Sequence, residues 1–302
     1  FDLDFKKSNY LKNKFNINKC SENLDDILND KNIDILDIAV PAQFNKDLFI
    51  KAVEKKKHIL IQKPLSDNID SAYEILKIYN KSNIKSNVNH QMRYSPSIKA
   101  AKFILDNNIL GEIKNFKIFT DRYTDWSVWP WLKKIDYPEL RYNSIHYLDT
   151  IRFLFGDPIS IKTNFIKSDN DILDKPTNIL IDFNYKTFLG CLDIKHNSKL
   201  EPDKWKAGFE INGDNGKCEG IISSMIGNGL KFKDSINISY YKNKLSINEE
   251  HKLEGRWFSE AFLGPMYSLM QSINNNTQPQ TNINDAYQTL LLVERVIKND
   301  IL

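Results

Sequence analysis

Two short apolar runs, each ended near a proline, constrain this chain more than any other feature. Ile33-Asp34-Ile35-Leu36-Asp37-Ile38-Ala39-Val40 stops at Pro41, and His58-Ile59-Leu60-Ile61 is followed by Gln62-Lys63-Pro64. Their length and isoleucine content are those of buried strands. Between them, Lys46–Lys56 sets Leu48, Phe49, Ala52 and Val53 at helical spacing, and Asn68–Asn80 repeats the pattern through Ile69, Ala72, Ile75, Leu76 and Tyr79. Lys85–Asn89 reads as a third strand. Strand, helix, strand, helix and strand in this order predict right-handed crossovers and a parallel sheet.

The rest of the chain is too long for that unit alone. At ~150 residues per domain, 302 residues make about two. A hydrophobic fraction of 41% with 27% charged residues excludes disorder throughout. Lys plus Arg number 42 against 39 Asp plus Glu, an excess that gives no reason to expect a nucleic-acid or membrane partner. No apolar run approaches the ~18 residues of a membrane span. Cys20, Cys191 and Cys218 lie far apart, which predicts neither a metal site nor a disulfide and fits a reducing cytoplasm.

A parallel sheet that binds a dinucleotide needs a Gly-rich turn after its first strand, where the backbone and a helix N-terminus meet the pyrophosphate. No GxGxxG occurs near the start. Phe1-Asp2-Leu3-Asp4, before the helix-prone Phe5–Phe15, looks like the end of a second strand. Asp2 would then bond the ribose hydroxyls, and the missing strand, loop and helix are expected about 30 residues upstream. Asp2 and Asp4 read equally well as solvated loop acids.

At Ile59-Leu60-Ile61-Gln62-Lys63-Pro64-Leu65 the chain resembles the Gfo/Idh/MocA family of NAD(P)-dependent oxidoreductases, in which a strand ends in Glu-Lys-Pro. Asn89-His90-Gln91-Met92-Arg93-Tyr94-Ser95-Pro96 is similar to the family's Asn-x-Arg-aromatic-x-Pro crossover, and Leu110-Gly111-Glu112-Ile113 to its Gly-Glu-Ile turn. Ser144–Asp149 with Arg152–Gly156 resembles its His-containing helix, and Glu210–Gly213, Trp257-Phe258 and Asp285-Ala286 follow in family order. The resemblance implies a Rossmann-type parallel-sheet domain over residues 1–90, lacking its first βα unit. An open, mainly antiparallel sheet domain with flanking helices over 91–302 would bind substrate and form homodimers or homotetramers. The residues agree independently: strand candidates at Lys114–Asp121, Ile159–Lys167, Ile179–Asn184, Leu189–Ile194, Trp205–Asn212, Lys217–Ile222 and Ser235–Tyr241 are separated by hairpin-like turns. Helices are predicted at Ser144–Phe155, Glu260–Asn274 and Ile283–Lys298.

Oxidising an alcohol with a nicotinamide requires a base for the hydroxyl proton and a donor for the developing charge on oxygen. His146, with an unperturbed pKa of ~6.5, suits the base, and Lys63, just past a buried strand, suits the donor. The resemblance also implies a cis Lys63–Pro64 bond. Three positions depart from the family pattern: Gln62 replaces Glu, Asn45 stands where a histidine is expected, and Tyr142 stands where many members carry an Asp. Tyr142 could donate to substrate. Asp149 reads as structural, pairing with Arg152 or Arg141. Cofactor contacts are expected at Asp2, Val40, Pro41, Gln62, Lys63 and Arg93. NAD is favoured slightly over NADP, because an acid at Asp2 repels a 2′-phosphate. The aromatic stretch Arg122–Trp131 suits a sugar-binding rim, with Arg122, Trp126, Trp131, Arg141 and Asn143 as substrate candidates. The expected reaction is hydride transfer at a hydroxyl carbon of a sugar, sugar acid or cyclitol. The alternative is a catalytically silent relative serving as a sugar- or nucleotide-binding or assembly subunit.

Overall fold

The computed structural model describes residues 1–167, 175–201, 204–223 and 233–299. Helix α1 (Phe5–Phe15) opens the chain, with the Asp4 side chain accepting from the Lys6 N–H as its N-cap. Phe1–Asp4, expected as the end of a strand, joins no sheet; Asp2 instead accepts from the Asp4 N–H at 2.8 Å, a turn that Asp side chains stabilise locally. After α2 (Leu24–Asn29) come β1 (Ile35–Ile38), α3 (Asn45–Glu54), β2 (His58–Gln62), α4 (Ile69–Lys81) and β3 (Ser86–Asn89). The three strands pair in the order β1-β2-β3, all parallel. Ile59 and Ile61 in β2 and Val88 in β3 are fully buried, which is why these runs carry so little polar alternation.

A 3₁₀ turn at Gln91–Tyr94 leads into α5 (Pro96–Asp106), with proline in its first turn, where no N–H is needed. Then follow β4 (Ile113–Asp121), α6 (Ile145–Phe155), β5 (Ser160–Ile166), β6 (Asn178–Asn184), β7 (Leu189–Lys195), β8 (Lys206–Gly213), β9 (Gly216–Ile221), β10 (Ser235–Lys242) and β11 (Leu245–Lys252). They form one eight-stranded sheet, ordered β11-β10-β9-β8-β4-β7-β6-β5. Every neighbouring pair is antiparallel except β4 and β7, which run parallel at its centre. That exception follows from connectivity: β5 and β6 add at the edge, so β7 returns beside β4 in the same direction.

One face of this sheet is covered. Phe116, Ile118, Ile181, Leu192, Phe209 and Ile238 pack with residues of α5 and α6 and with Leu292, Val293 and Val296 of α8 (Ile283–Lys298). Gly190 lies opposite Phe116 in the β4–β7 register, and a Cβ there would come within 2.1 Å of the Phe116 ring, which stacks on Phe155 at 4.0 Å. Helix α7 (Leu263–Asn274) packs against β3. The start of α8 serves the first sheet: Ile283, Ala286 and Leu290 belong to its core, and the Val88 N–H donates to the Thr281 carbonyl.

Candidate active site

The carboxyl end of β2 meets the carboxyl end of β4 across a cavity of about 280 Å³. Lys63, Arg122, Tyr142, Asn143 and His146 supply its polar lining, with Trp126, Trp129, Trp131, Trp257 and Phe258 around them. Open α/β sheets bind ligands at this edge because the crossovers diverge there.

The Lys63–Pro64 bond is cis, as the resemblance implied. Asn45 explains its own departure from the family pattern: buried, its Nδ2 donates to the Pro64 carbonyl at 3.1 Å and the Leu65 carbonyl at 3.2 Å, pinning the turn that carries Lys63. Gln62 has a comparable structural use. Its Nε2 donates to Asp37 Oδ1 at 3.0 Å and its Oε1 accepts from Asn89 Nδ2 at 2.6 Å, tying the ends of all three strands together. A glutamate could not donate to Asp37, so the amide suits this neighbour.

Lys63 Nζ donates to the Tyr142 carbonyl. That carbonyl belongs to a π-helical turn, Glu139–Ser144, which precedes α6. Burial pushes the Lys63 ammonium down to about 8, and Arg122 pushes the same way against the opposing pull of Glu139. His146 is 3% exposed, its Nδ1 has no hydrogen-bond partner among the described residues, and its ring meets Trp257 edge-on at 5.2 Å. Burial, with Lys63, His90 and Arg122 nearby, holds its pKa well below the usual histidine value, so it is neutral at pH 7. Lys63 is therefore better matched than His146 to proton transfer near neutrality. Burial lifts the Tyr142 phenol to about 12, which leaves it a donor only.

Beneath the cavity runs a buried polar chain that the sequence did not reveal. Glu139 Oε1 accepts from Ser144 Oγ and lies 3.2 Å from His196 Nε2. His196 Nδ1 is 2.8 Å from Thr124 Oγ1 and 3.4 Å from Arg122 Nε, while Arg122 Nη2 donates to Asn143 Oδ1 at 2.8 Å. These contacts assign the Nε2–H tautomer to His196. Burial raises the Glu139 carboxyl, but His196, Ser144 and Arg122 outweigh it and hold the group ionised. His196 is thus a buried part of the floor. Trp257, noted from sequence only for its place in family order, also lines the cavity. No short motif links residues 139, 196 and 257, so no local signal could have joined them.

Of the predicted substrate residues, Arg122, Trp126, Trp131 and Asn143 line the cavity and Arg141 does not. Arg141 is bound to Glu294 at 2.5 Å and to the Asp136 carbonyl, which turns it away. Arg93, read as a cofactor contact, is 5% exposed and already committed. It forms a two-point bond to Asp149 at 2.7 and 2.6 Å and a third to Asp285 at 2.6 Å. Asp149 is structural as expected, but its arginine is Arg93 rather than Arg152 or Arg141, and Thr289 Oγ1 adds a bond at 2.8 Å. Arg152 pairs with Asp157 and Asp285. Val40 is exposed beside Pro41 past the end of β1, and Asp2 is exposed at the start of the chain. Among the described residues, no group of three or more His, Cys, Asp or Glu could hold a metal.

Comparison with known proteins decides the family. A model described as an oxidoreductase family with an NAD-binding Rossmann fold matches residues 1–90, and the corresponding C-terminal α/β domain matches residues 102–300. The chain belongs to the Gfo/Idh/MocA oxidoreductase family. An uncharacterized Saccharomyces cerevisiae protein, YMR315W, is 44% identical over 85 residues, 28% of this chain and 24% of its own length. Levoglucosan dehydrogenase of Pseudarthrobacter phenanthrenivorans is 27% identical over 139 residues, 43% of this chain and 35% of its own length. The alignments thus span well under half the length of these curated relatives. Among solved structures, a levoglucosan dehydrogenase in complex with NADH and levoglucosan superposes with a TM-score of 0.83 at 17% identity, covering 99% of this chain and 86% of that one. An oxidoreductase from Agrobacterium radiobacter in complex with NAD+, L-tartaric acid and magnesium gives 0.81 at 19%, covering 99% and 86%. At these identities the likeness establishes the fold.

Proposed function

We propose that the protein is an NAD(P)-dependent oxidoreductase acting at a hydroxyl-bearing carbon of a sugar, sugar acid or cyclitol, with Lys63 and His146 as its catalytic pair. The observation that carries this reading is their meeting, Lys63 from just past β2 and His146 from the first turn of α6, in one aromatic cavity at the carboxyl edge of a parallel sheet. A nicotinamide fits that edge in chemical type. Gln62 and Lys63 offer amide and ammonium groups, and the nearby Asn89 Oδ1 and Gln91 Oε1 are buried without partners among the described residues. Asp2, Val40, Pro41, Gln62 and Lys63 are the residues we assign to holding it, with Asp2 favouring NAD over NADP. When bound, the group accepts or supplies the hydride.

The chain's own residues do the rest. Lys63 Nζ, with its pKa brought down to about 8, takes the hydroxyl proton in oxidation and returns it in reduction. Neutral His146, its ring fixed against Trp257, hydrogen-bonds the same oxygen. Tyr142 and Asn143 donate to neighbouring hydroxyls, and Trp129 and Trp131, both partly exposed at the rim, cover apolar C–H faces. Exposed Leu189, Ile221, Tyr241 and Leu245 along the eight-stranded sheet suit assembly into a homodimer or homotetramer. The cytoplasm is the assigned compartment; no described helix is long and apolar enough to cross a membrane.

NADH and then NADPH are titrated into the protein by energy transfer from its tryptophans, and turnover is screened on sugars, sugar acids and cyclitols. Lys63→Ala is expected to lower turnover by about 10²-fold or more with nucleotide binding kept; unchanged turnover refutes the pairing. The second reading, a silent relative, draws on Tyr142 replacing an acid and on the engagement of Lys63 by the Tyr142 carbonyl. Sugar binding without turnover in the unaltered protein would establish it.

A further inference from the structure

Among the described residues, burial and pairing together set Arg122 apart from Arg93, Arg141 and Arg152. Arg93, 5% exposed, is met by two carboxylates, and Arg141 and Arg152 each have at least one. Arg122 is equally buried, at 6% exposed, yet among the described residues no carboxylate lies within 4.0 Å of it. Both its protein partners are neutral, the His196 ring and the Asn143 side-chain carbonyl. Glu139, the buried acid whose ionised form Arg122 helps to hold, makes its direct contacts with His196 and Ser144 rather than with Arg122. Among the described residues Nη1 of Arg122 has no acceptor, and Arg122 lines the cavity.

The cavity wall as a whole repeats the imbalance. Lys63 and Arg122 both face it, and among the described residues no aspartate or glutamate lines it. A guanidinium withdrawn from water is costly unless an anion meets it, and its planar fork matches a carboxylate at two points. Sites for neutral polyols need acceptors for several hydroxyl protons, and this wall is rich in donors instead.

Resting on the oxidoreductase reading, we infer that the substrate is a sugar acid, an aldonate or uronate, whose carboxylate binds Arg122 while Lys63 serves the reacting hydroxyl. Arg122 is then the residue that sets specificity, and the carboxylate in direct contact with it arrives with the substrate.

The test is binding, read from quenching of the cavity tryptophans, with D-gluconate, D-glucuronate and D-galacturonate set against D-glucose, D-galactose and myo-inositol. At least one acid is expected to bind at least roughly tenfold tighter than every neutral compound. Arg122→Met should erase that preference, read as the ratio of acid to neutral-sugar affinity within the same variant, and Arg122→Lys, which keeps charge but loses the fork, should fall between. The selectivity of the unaltered protein decides the matter even if a variant fails to fold. Equal affinity for acids and neutral sugars, no binding by any of the three acids, or an unchanged preference in a folded Arg122→Met protein overturns the inference. Turnover is scored separately on the same compounds. Acids that bind tightly while none of the six compounds is turned over keep Arg122 as a carboxylate-binding residue and count against the oxidoreductase reading; neutral sugars that bind and react as well as the acids overturn the inference and keep that reading.

Discussion

Replacing Lys63 with methionine is expected to stabilise the protein while abolishing turnover. The lysine pKa falls from 10.5 to about 8 in the folded chain. At about 1.36 kcal/mol per unit, keeping Lys63 charged at pH 7 costs on the order of 3 kcal/mol. Methionine has similar length and avoids that cost, but it gives up the hydrogen bond to the Tyr142 carbonyl, worth about 1 kcal/mol. The net gain at pH 7 is therefore about 2 kcal/mol, or a rise in Tm of about 4–8 °C for a chain of this size. The sign depends on pH. Between about 8 and 10.5 the unfolded lysine binds a proton that the folded one has lost, so the stability of the unaltered protein climbs through that window. The advantage of Lys63→Met should shrink to about 1 kcal/mol at pH 9 and vanish near pH 10. Urea denaturation of both proteins at these three pH values measures the difference and cancels every other titrating group. A variant less stable at pH 7, or a difference that does not change with pH, refutes the assignment of Lys63 as a strained, desolvated cation.

Other substitutions probe the frame around the cavity. Gln62→Glu sets a second carboxylate beside Asp37, 3.0 Å from the present amide nitrogen. It should cost about 1 kcal/mol at pH 7, and repulsion raises the folded-state pKa values, so chemical denaturation should show the gap closing as pH falls toward 4–5. Asp149→Asn leaves Arg93 with Asp285 alone and removes a charge that is fully buried. A loss of about 3 kcal/mol in urea titration is expected, and less than 1 kcal/mol would show the pair to be dispensable. Gly190→Ala drives a methyl group into the Phe116 ring and should cost about 1–3 kcal/mol, measured as a drop in Tm.

What the sequence disclosed follows the range of the interactions involved. The strands around Ile35–Ile38 and His58–Gln62, and helices α3, α4 and α8, are written in local periodicity, because each buries a continuous stripe. Strand β11 was missed because Leu-Ser-Ile-Asn-Glu-Glu-His-Lys lies at a sheet edge, exposed on both faces, and carries no alternation. Helices α2 and α5 also escaped, the first for its shortness and the second because its proline reads as a break. The parallel pairing of β4 with β7 was hidden because strand order is set across β5 and β6. In the cavity, Lys63 and His146 stood out through strand-Lys-Pro and a helix start. Glu139 and His196 did not, because their meaning lies in a contact between residues 57 positions apart. Arg93 misled for the same reason: its partners are 56 and 192 residues away.

The last helix has a consequence for the order in which the molecule can be made. Its opening turns, with Ile283, Ala286 and Leu290, complete the core beneath β1, β2 and β3, while Leu292, Val293 and Val296 close the other core. On the ribosome, residues 35–89 emerge long before residue 283, and at about 5–20 residues per second the delay is on the order of ten seconds or more. Throughout that interval the parallel sheet waits with an apolar flank open. The parallel-sheet half is begun early and completed only by α8, so nucleotide binding by a nascent chain should switch on only once residues 283–290 have emerged.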